Sequence, residues 1–181
     1  IAEVLPNSTR WPQAGLSLLS SRPSSVAYFS AARLHARVAE AARHHRFDAV
    51  MVHCAFAAQY VLDVPAKFRL LDFGDLDSGK WFDYEKTRGI PICYGYGIEA
   101  RKLRRYETTI AQRFDYCTLT TQGELEEFKK LGVPRPHSVI PNGVDTKYFQ
   151  FNGGNNKSRP VIAFLGRMDY FPNIDGVLYF T

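Results

Sequence analysis

The sequence predicts an α/β protein built on a parallel sheet with helices on both faces, and three observations carry that prediction. Short apolar runs of strand length, at residues 47–53, 68–73, 116–120 and 139–140, are separated by longer stretches of helical composition. The runs are near-continuous rather than alternating, as in parallel strands covered on both sides. The order strand, helix, strand, helix, strand is the one that builds such a sheet.

The chain has 181 residues, 45% hydrophobic and 23% charged, which is enough for a sizeable core and excludes a disordered chain. No apolar run approaches the roughly 20 residues that span a bilayer, and no signal peptide is visible. The sequence begins at Ile1 and stops at Thr181 inside an expected helix that lacks a stop signal, so it is expected to be a fragment. Cys54, Cys93 and Cys117 are odd in number, far apart and without metal-ligand spacing, which predicts free thiols in a reducing cytoplasm. A net charge of +5 suits an acidic partner such as a phosphate-bearing substrate or an anionic lipid surface. Nucleic acid is not expected, because no known motif or interleaved aromatic pattern accompanies the cations.

Residues 1–23 carry Pro6, Pro12 and Pro23 and are expected to be loop, with one short turn around residues 16–19. Residues 24–45 lack Pro and Gly and are rich in alanine, so one long helix is expected. Phe29, Ala32, Ala36 and Ala39 would share the face lying against the sheet, with a basic remainder. Residues 47–53 form a buried strand with His53 at its carboxyl end, where open α/β sheets place ligand-binding groups; the competing reading is a hydrogen-bonded core histidine. After a short helix to about residue 62, residues 68–73 form the next strand.

Asp72, Asp75 and Asp77 follow at the end of that strand. Carboxylates so close together repel one another unless they are solvated, cap a helix or bind ligand hydroxyls. Asp77 or Ser78 can cap a helix running toward Tyr84, which accounts for one of the three. Residues 89–97 are expected to be a mobile loop, followed by a helix over 98–114 with Leu103, Tyr106, Ile110 and Phe114 on its apolar face. Glu107 falls on that face and needs a partner, and tying down a neighbouring loop is its expected role. Arg101, Lys102, Arg104 and Arg105 would face outward. Residues 116–120 form a strand, and Thr121 with Glu124 makes a capping box opening a helix over 125–131, which Gly132 stops.

Val139 and Ile140 end at Pro141, Asn142 and Gly143, turn formers that should take the chain out of the sheet. Asp145 is expected to cap a short turn that buries Tyr148 and Phe149. Residues 152–158 are too polar to order themselves and read as linker. Val161 to Leu165 is expected to be a buried parallel strand ending at Gly166 and Arg167, ahead of a helix that starts near Pro172. A glycine, a forked cation and a helix amino terminus together suit a phosphate. The domains so defined are residues 1–143, a linker over 144–160, and residues 161–181.

The block IPNGVD-x-x-x-F, a polar linker and an apolar run ending in GRM together resemble the domain junction of family 4 retaining glycosyltransferases. LLDFGDLDSGKW and GRMDYFPNIDGVLYF are similar, more narrowly, to sugar transferases associated with exopolysaccharide and PEP-CTERM sorting systems. The resemblance runs from about Phe47 onward. It implies a GT-B fold, with two Rossmann-like domains facing a cleft. This chain would hold most of the N-terminal, acceptor-side domain and the first strand and helix of the C-terminal nucleotide-sugar-binding domain.

The implied reaction is retaining transfer of a sugar from a nucleotide diphosphate sugar to a carbohydrate or lipid-linked acceptor in exopolysaccharide biosynthesis, with no cofactor and no metal. The implied setting is cytoplasmic, peripheral at the inner face of the plasma membrane where the outward cations meet an anionic surface. Residue by residue, the resemblance makes Asp75, with Asp72 beside it, catalytic on the acceptor side. It makes Gly166, Arg167 and Asn173 donor diphosphate-binding, and it puts Asn142, Gly143, His53 and Asp77 at the cleft or hinge. Many family members carry a lysine five positions after the arginine, where this chain has Pro172. The family's paired glutamates would lie beyond Thr181, so this stretch alone is expected to be inactive. The competing expectation is a non-catalytic Rossmann-like binding or scaffold protein derived from such an enzyme.

Overall fold

The computed structural model describes residues 6–150 and 161–181. It divides into two compact units, Ile1–Asn142 and Gly143–Thr181. The first unit is α/β, with a four-stranded sheet flanked by helices. The strands are β1 (Phe47–His53), β2 (Ala66–Gly74), β3 (Tyr116–Leu119) and β4 (His137–Val139), all parallel and adjacent in sequence order. This is the Rossmann-like arrangement that the alternating elements predict.

The helices are α1 (Asn7–Ser17), α2 (Ser24–Tyr28), α3 (Ala32–His44), α4 (Asp77–Thr87), α5 (Ile92–Ala111) and α6 (Gln122–Lys129), with a 3-10 turn over Ala55–Tyr60. Pairing places Val52 opposite Leu71 and Leu71 opposite Cys117, on one face of the pleat. These strand residues, with Phe73 and Leu119, pack against Ala55 and Ala58 of the turn, Ile110 near the end of α5, Phe114 just after it, and Leu125 and Phe128 of α6. The apolar stripe of α5 is where the 3.6-residue period puts it. The inner strand β3 is covered on both faces, with Cys117, Thr118 and Leu119 all buried. Edge strand β1 is not: only Val52 is buried, and Phe47 and Met51 are exposed. Burial on both faces therefore fails at this edge, where the strand has one partner instead of two.

Three glutamates tie the starts of helices, or the residue before one, to other helices. Glu99 Oε1 accepts from Ser25 N and Oγ, Glu107 accepts from Ser78 N and Oγ, and Glu124 Oε2 accepts from Leu76 N. The capping box is thus half closed: Thr121 Oγ1 accepts from Glu124 N at 3.1 Å, but the Glu124 carboxylate is used on the neighbouring loop. Gly132, at φ +67°, ends the segment after α6 as expected.

Several segments differ from expectation. Residues 7–17 are helical although they contain Pro12. Pro6 sits at the cap, where its fixed φ suits a helix start, and Pro12 forfeits one backbone bond while Trp11 packs edge-on to Tyr28 at 5.2 Å. The long helix over 24–45 is broken between α2 and α3. Tyr60 explains the break, because its hydroxyl accepts from Ala31 N and donates to the Phe29 carbonyl, satisfying backbone groups that leave the helix. Ala32, Ala36 and Ala39 are exposed; Leu34, Val38 and Ala41 form the half-buried side of α3. Residues 92–97, expected in a loop, are the first turns of α5. The close approach of α4 at Gly97 explains this, since a Cβ there would lie 1.9 Å from Glu85 Oε1.

In the second unit, Asp145 Oδ1 accepts from Lys147 N and Tyr148 N, capping the expected turn. Tyr148 and Phe149 are nonetheless exposed. Helix α7 (Phe171–Phe180) has Pro172 in its first turn. Val161 to Leu165 forms no strand and lies exposed. An apolar run needs a partner to satisfy its backbone, and among the described residues of this unit there is no second strand. The expected linker at 152–158 lies outside the described residues.

Candidate functional site

The register places His53 opposite Asp72 and Asp72 opposite Thr118, so the three side chains form a row across β1, β2 and β3 at the carboxyl ends of the strands. They share the face opposite Val52, Leu71 and Cys117. His53 Nδ1 lies 2.8 Å from Asp72 Oδ2, and Thr118 Oγ1 donates to Asp72 Oδ1 at 2.9 Å. Gly74 N adds a third bond to Asp72. Burial alone would raise the Asp72 carboxyl, but the bonds from His53, Thr118 and Gly74 outweigh it and hold Asp72 below the usual carboxylate range. An ionised Asp72 can only accept, so His53 donates to it through Nδ1, which leaves Nε2 facing away from Asp72. His53 is exposed, its side chain 66% accessible.

Around this row the backbone is unusual. Cys54, directly after His53, has φ +69°, and its N–H donates to the Asp72 carbonyl. Gly74 has φ +68° and lies against the His53 ring. Asp75 is exposed; its Oδ1 lies 2.7 Å from Thr120 Oγ1, whose single proton also reaches the Gly74 carbonyl. Asp77 opens α4, where a negative charge complements the helix dipole, and burial pushes its carboxyl up. It does not cap through its own side chain: the cap on Ser78 comes from Glu107. The neighbouring thiol of Cys54 is pushed up by burial and by the charges of Asp77, Asp72 and Asp75.

Of the residues singled out from sequence, the first unit thus gathers His53, Asp72, Asp75 and Asp77 at the end of β2. Thr118, Thr120 and Glu124 were not anticipated there. Their signal is the strand end Thr118-Leu119-Thr120-Thr121, whose alternation points Thr118 and Thr120 to the same side once the register is known. Asn142 and Gly143 straddle the boundary between the units, exposed and without the left-handed backbone that an Asn-Gly turn would use.

The second unit holds Gly166, Arg167 and Asn173. Arg167 Nη2 and Nε pair with the two oxygens of Asp169 at 2.6 and 3.1 Å, both side chains being exposed. Asn173 Nδ2 donates to the Arg167 carbonyl at 2.9 Å. It also lies, with the Phe164 ring, where a Cβ of residue 166 would sit, so the space glycine leaves open is filled by this unit's own side chains.

The outward cationic stripe is only partly outward. Lys102 Nζ donates to the carbonyls of Ser17 and Leu18 at the end of α1, Arg104 lies over the Phe82 ring, and Arg101 pairs with Glu85. Lys102 reaches inward to carbonyls in and just past the last turn of α1, of which Ser17 O also accepts from Ser20 N and Oγ. Among the described residues no helix is long and apolar enough to cross a membrane, and no group of three metal-ligating side chains is assembled. No protein-family model, curated protein or solved structure matches the chain.

Proposed function

We propose that this chain carries the acceptor-side domain and the start of the nucleotide-sugar-binding domain of a retaining GT-B glycosyltransferase. It would move a sugar from a nucleotide diphosphate sugar to a carbohydrate or lipid-linked acceptor in exopolysaccharide assembly. The observation that supports this most is the row His53, Asp72 and Thr118 at the carboxyl ends of parallel strands, where open α/β sheets bind ligands. The exposed His53 ring, with Nε2 away from Asp72, and the exposed Asp75 carboxylate are groups that suit sugar hydroxyls. In this reading His53 and Asp75 touch the acceptor, and Asp72 acts through His53 as a positioning residue. Arg167, beside Gly166 and Asn173 at the start of α7, neutralises the leaving diphosphate, so that protein cations carry the charge without a metal.

His53→Ala and Asp75→Asn in the full-length protein are each expected to lower kcat/KM for transfer by about 10²-fold while nucleotide-sugar affinity, measured by calorimetry, stays within about twofold. Asp72→Asn, which no longer anchors the Nδ1 proton, is expected to reproduce most of the His53 loss. A fall in donor affinity equal to the fall in rate would assign the row to the donor. Unchanged rates in all three variants would remove it from the site.

A further inference from the structure

The amino ends of β1 and β2, with the last turn of α3, border a cavity of about 490 Å³. Its wall carries Arg43, His44, His45, Arg46 and Lys67 around Phe47, and no carboxylate lines it among the described residues. Lys67 is matched by Asp48 at 2.7 Å. Arg43, His44 and Arg46 are exposed and, among the described residues, none has a carboxylate within ion-pair reach.

The dipole of α3 accounts for part of this, since Arg43 and His44 stand in its last turn, where cations are favourable. Arg46 and Lys67 lie outside the helix, at the entries to the two strands, and the dipole does not call for them. A concave wall of one charge sign gathers counter-ions. A second cavity, of about 390 Å³, shares Arg43 and Pro65 with the first and continues along α3 to His35 and Tyr60, whose rings lie 4.4 Å apart. Asp63 also lines it, with Arg113 at 4.0 Å. Both cavities are of the size that takes a small molecule.

We infer that the two cavities form a binding site for a soluble phosphate ester, with its phosphate between Arg43 and Arg46 and its carbon body toward His35 and Tyr60. Forked guanidinium groups match phosphate oxygens in pairs, and the imidazoles of His44 and His45 add N–H donors. A lipid surface fits less well, because these cations line a concavity that a flat layer of headgroups does not enter. The site borders Phe47, at the opposite end of β1 from His53, and a strand of seven residues rises about 20 Å. It is therefore separate from the row at the carboxyl ends, and no step of sugar transfer enters the inference.

Calorimetry of the full-length protein with inorganic pyrophosphate at low ionic strength tests it, in an Arg167→Ala background that removes the cation assigned to the donor. Binding is expected to persist in that background. Adding Arg43→Gln/Arg46→Gln is expected to weaken it at least about tenfold. Adding Asp48→Asn instead frees Lys67 and is expected to tighten it. All these side chains are exposed, and matching thermal melts check that the variants fold. No binding in the Arg167→Ala background overturns the proposal, as does equal affinity with and without Arg43 and Arg46. So does flotation with phosphatidylglycerol vesicles that Arg43→Gln/Arg46→Gln abolishes and pyrophosphate does not compete away, which would give these cations to a lipid surface.

Discussion

Replacing Glu107 with alanine is expected to lower the stability of the first unit by about 3 kcal/mol, the cost of leaving buried donors unsatisfied beside a new cavity. Glu107 is fully buried on the packed face of α5, where it accepts from Ser78 N at 3.0 Å and Ser78 Oγ at 2.5 Å. Ser78, itself 1% exposed, lies in the first turn of α4, whose cap residue Leu76 supplies no side-chain cap. Burial pushes the Glu107 carboxyl up to about 7 even against the two bonds from Ser78, which favour the charged form. A folded-state value above the unfolded one means that the folded chain holds the proton more tightly. The stabilisation is complete below the unfolded value of 4.5 and is lost as pH rises through about 7.

Glu107→Gln keeps the bond from Ser78 N through its amide oxygen, lets Nε2 donate to a rotated Ser78 Oγ, and cannot ionise. Its difference in stability from wild type, measured by chemical denaturation at about pH 5 and about pH 8, isolates Glu107 from every other titrating group. The expected result is a glutamine variant that gains on wild type between the lower and the higher pH. A difference that does not change with pH would contradict the burial argument, and an alanine variant as stable as wild type would contradict the capping role.

Arg167→Ala is expected to reduce kcat/KM for sugar transfer by roughly 10²–10³-fold, as removal of a single preorganised group that stabilises developing negative charge does. The guanidinium is held by Asp169, but the pair is exposed, so water screens it and a diphosphate can compete for the cation. Asp169→Asn then serves as the counterpart: by releasing Arg167 it is expected to tighten donor binding. Calorimetry with the nucleotide sugar and steady-state kinetics check both. Unchanged efficiency in Arg167→Ala, or weaker donor binding in Asp169→Asn, would take the pair out of the donor site.

The parallel sheet was legible because strands 47–53, 68–73 and 116–120 announce themselves as apolar runs, and the buried face of α5 because Leu103 and Ile110 keep helical spacing, although the helix ends at Ala111 and buried Phe114 lies beyond it. The need for a partner at Glu107 was legible too, since a carboxylate on an apolar stripe has to be satisfied; that the partner is Ser78 was not. The candidate site was half legible. His53 and the aspartates sit at strand ends in sequence, whereas Thr118 joins them only through the register between β2 and β3, which no local signal encodes.

The misreadings have the same origin. The break between α2 and α3 depends on the Tyr60 hydroxyl, far along the chain, and the inward reach of Lys102 depends on where α1 ends. Apolarity at Val161 to Leu165 marks a segment able to enter a sheet, but forming one takes a neighbouring strand.

Transfer chemistry itself tests the account most directly. The full-length protein, incubated with a panel of nucleotide diphosphate sugars and a glycolipid or oligosaccharide acceptor in the presence of a chelator, is expected to form a glycoside whose anomeric configuration by NMR matches that of the donor. No transfer and no binding of any nucleotide sugar would contradict the enzyme reading and favour a non-catalytic Rossmann-like binding protein. An inverted product would contradict the retaining assignment.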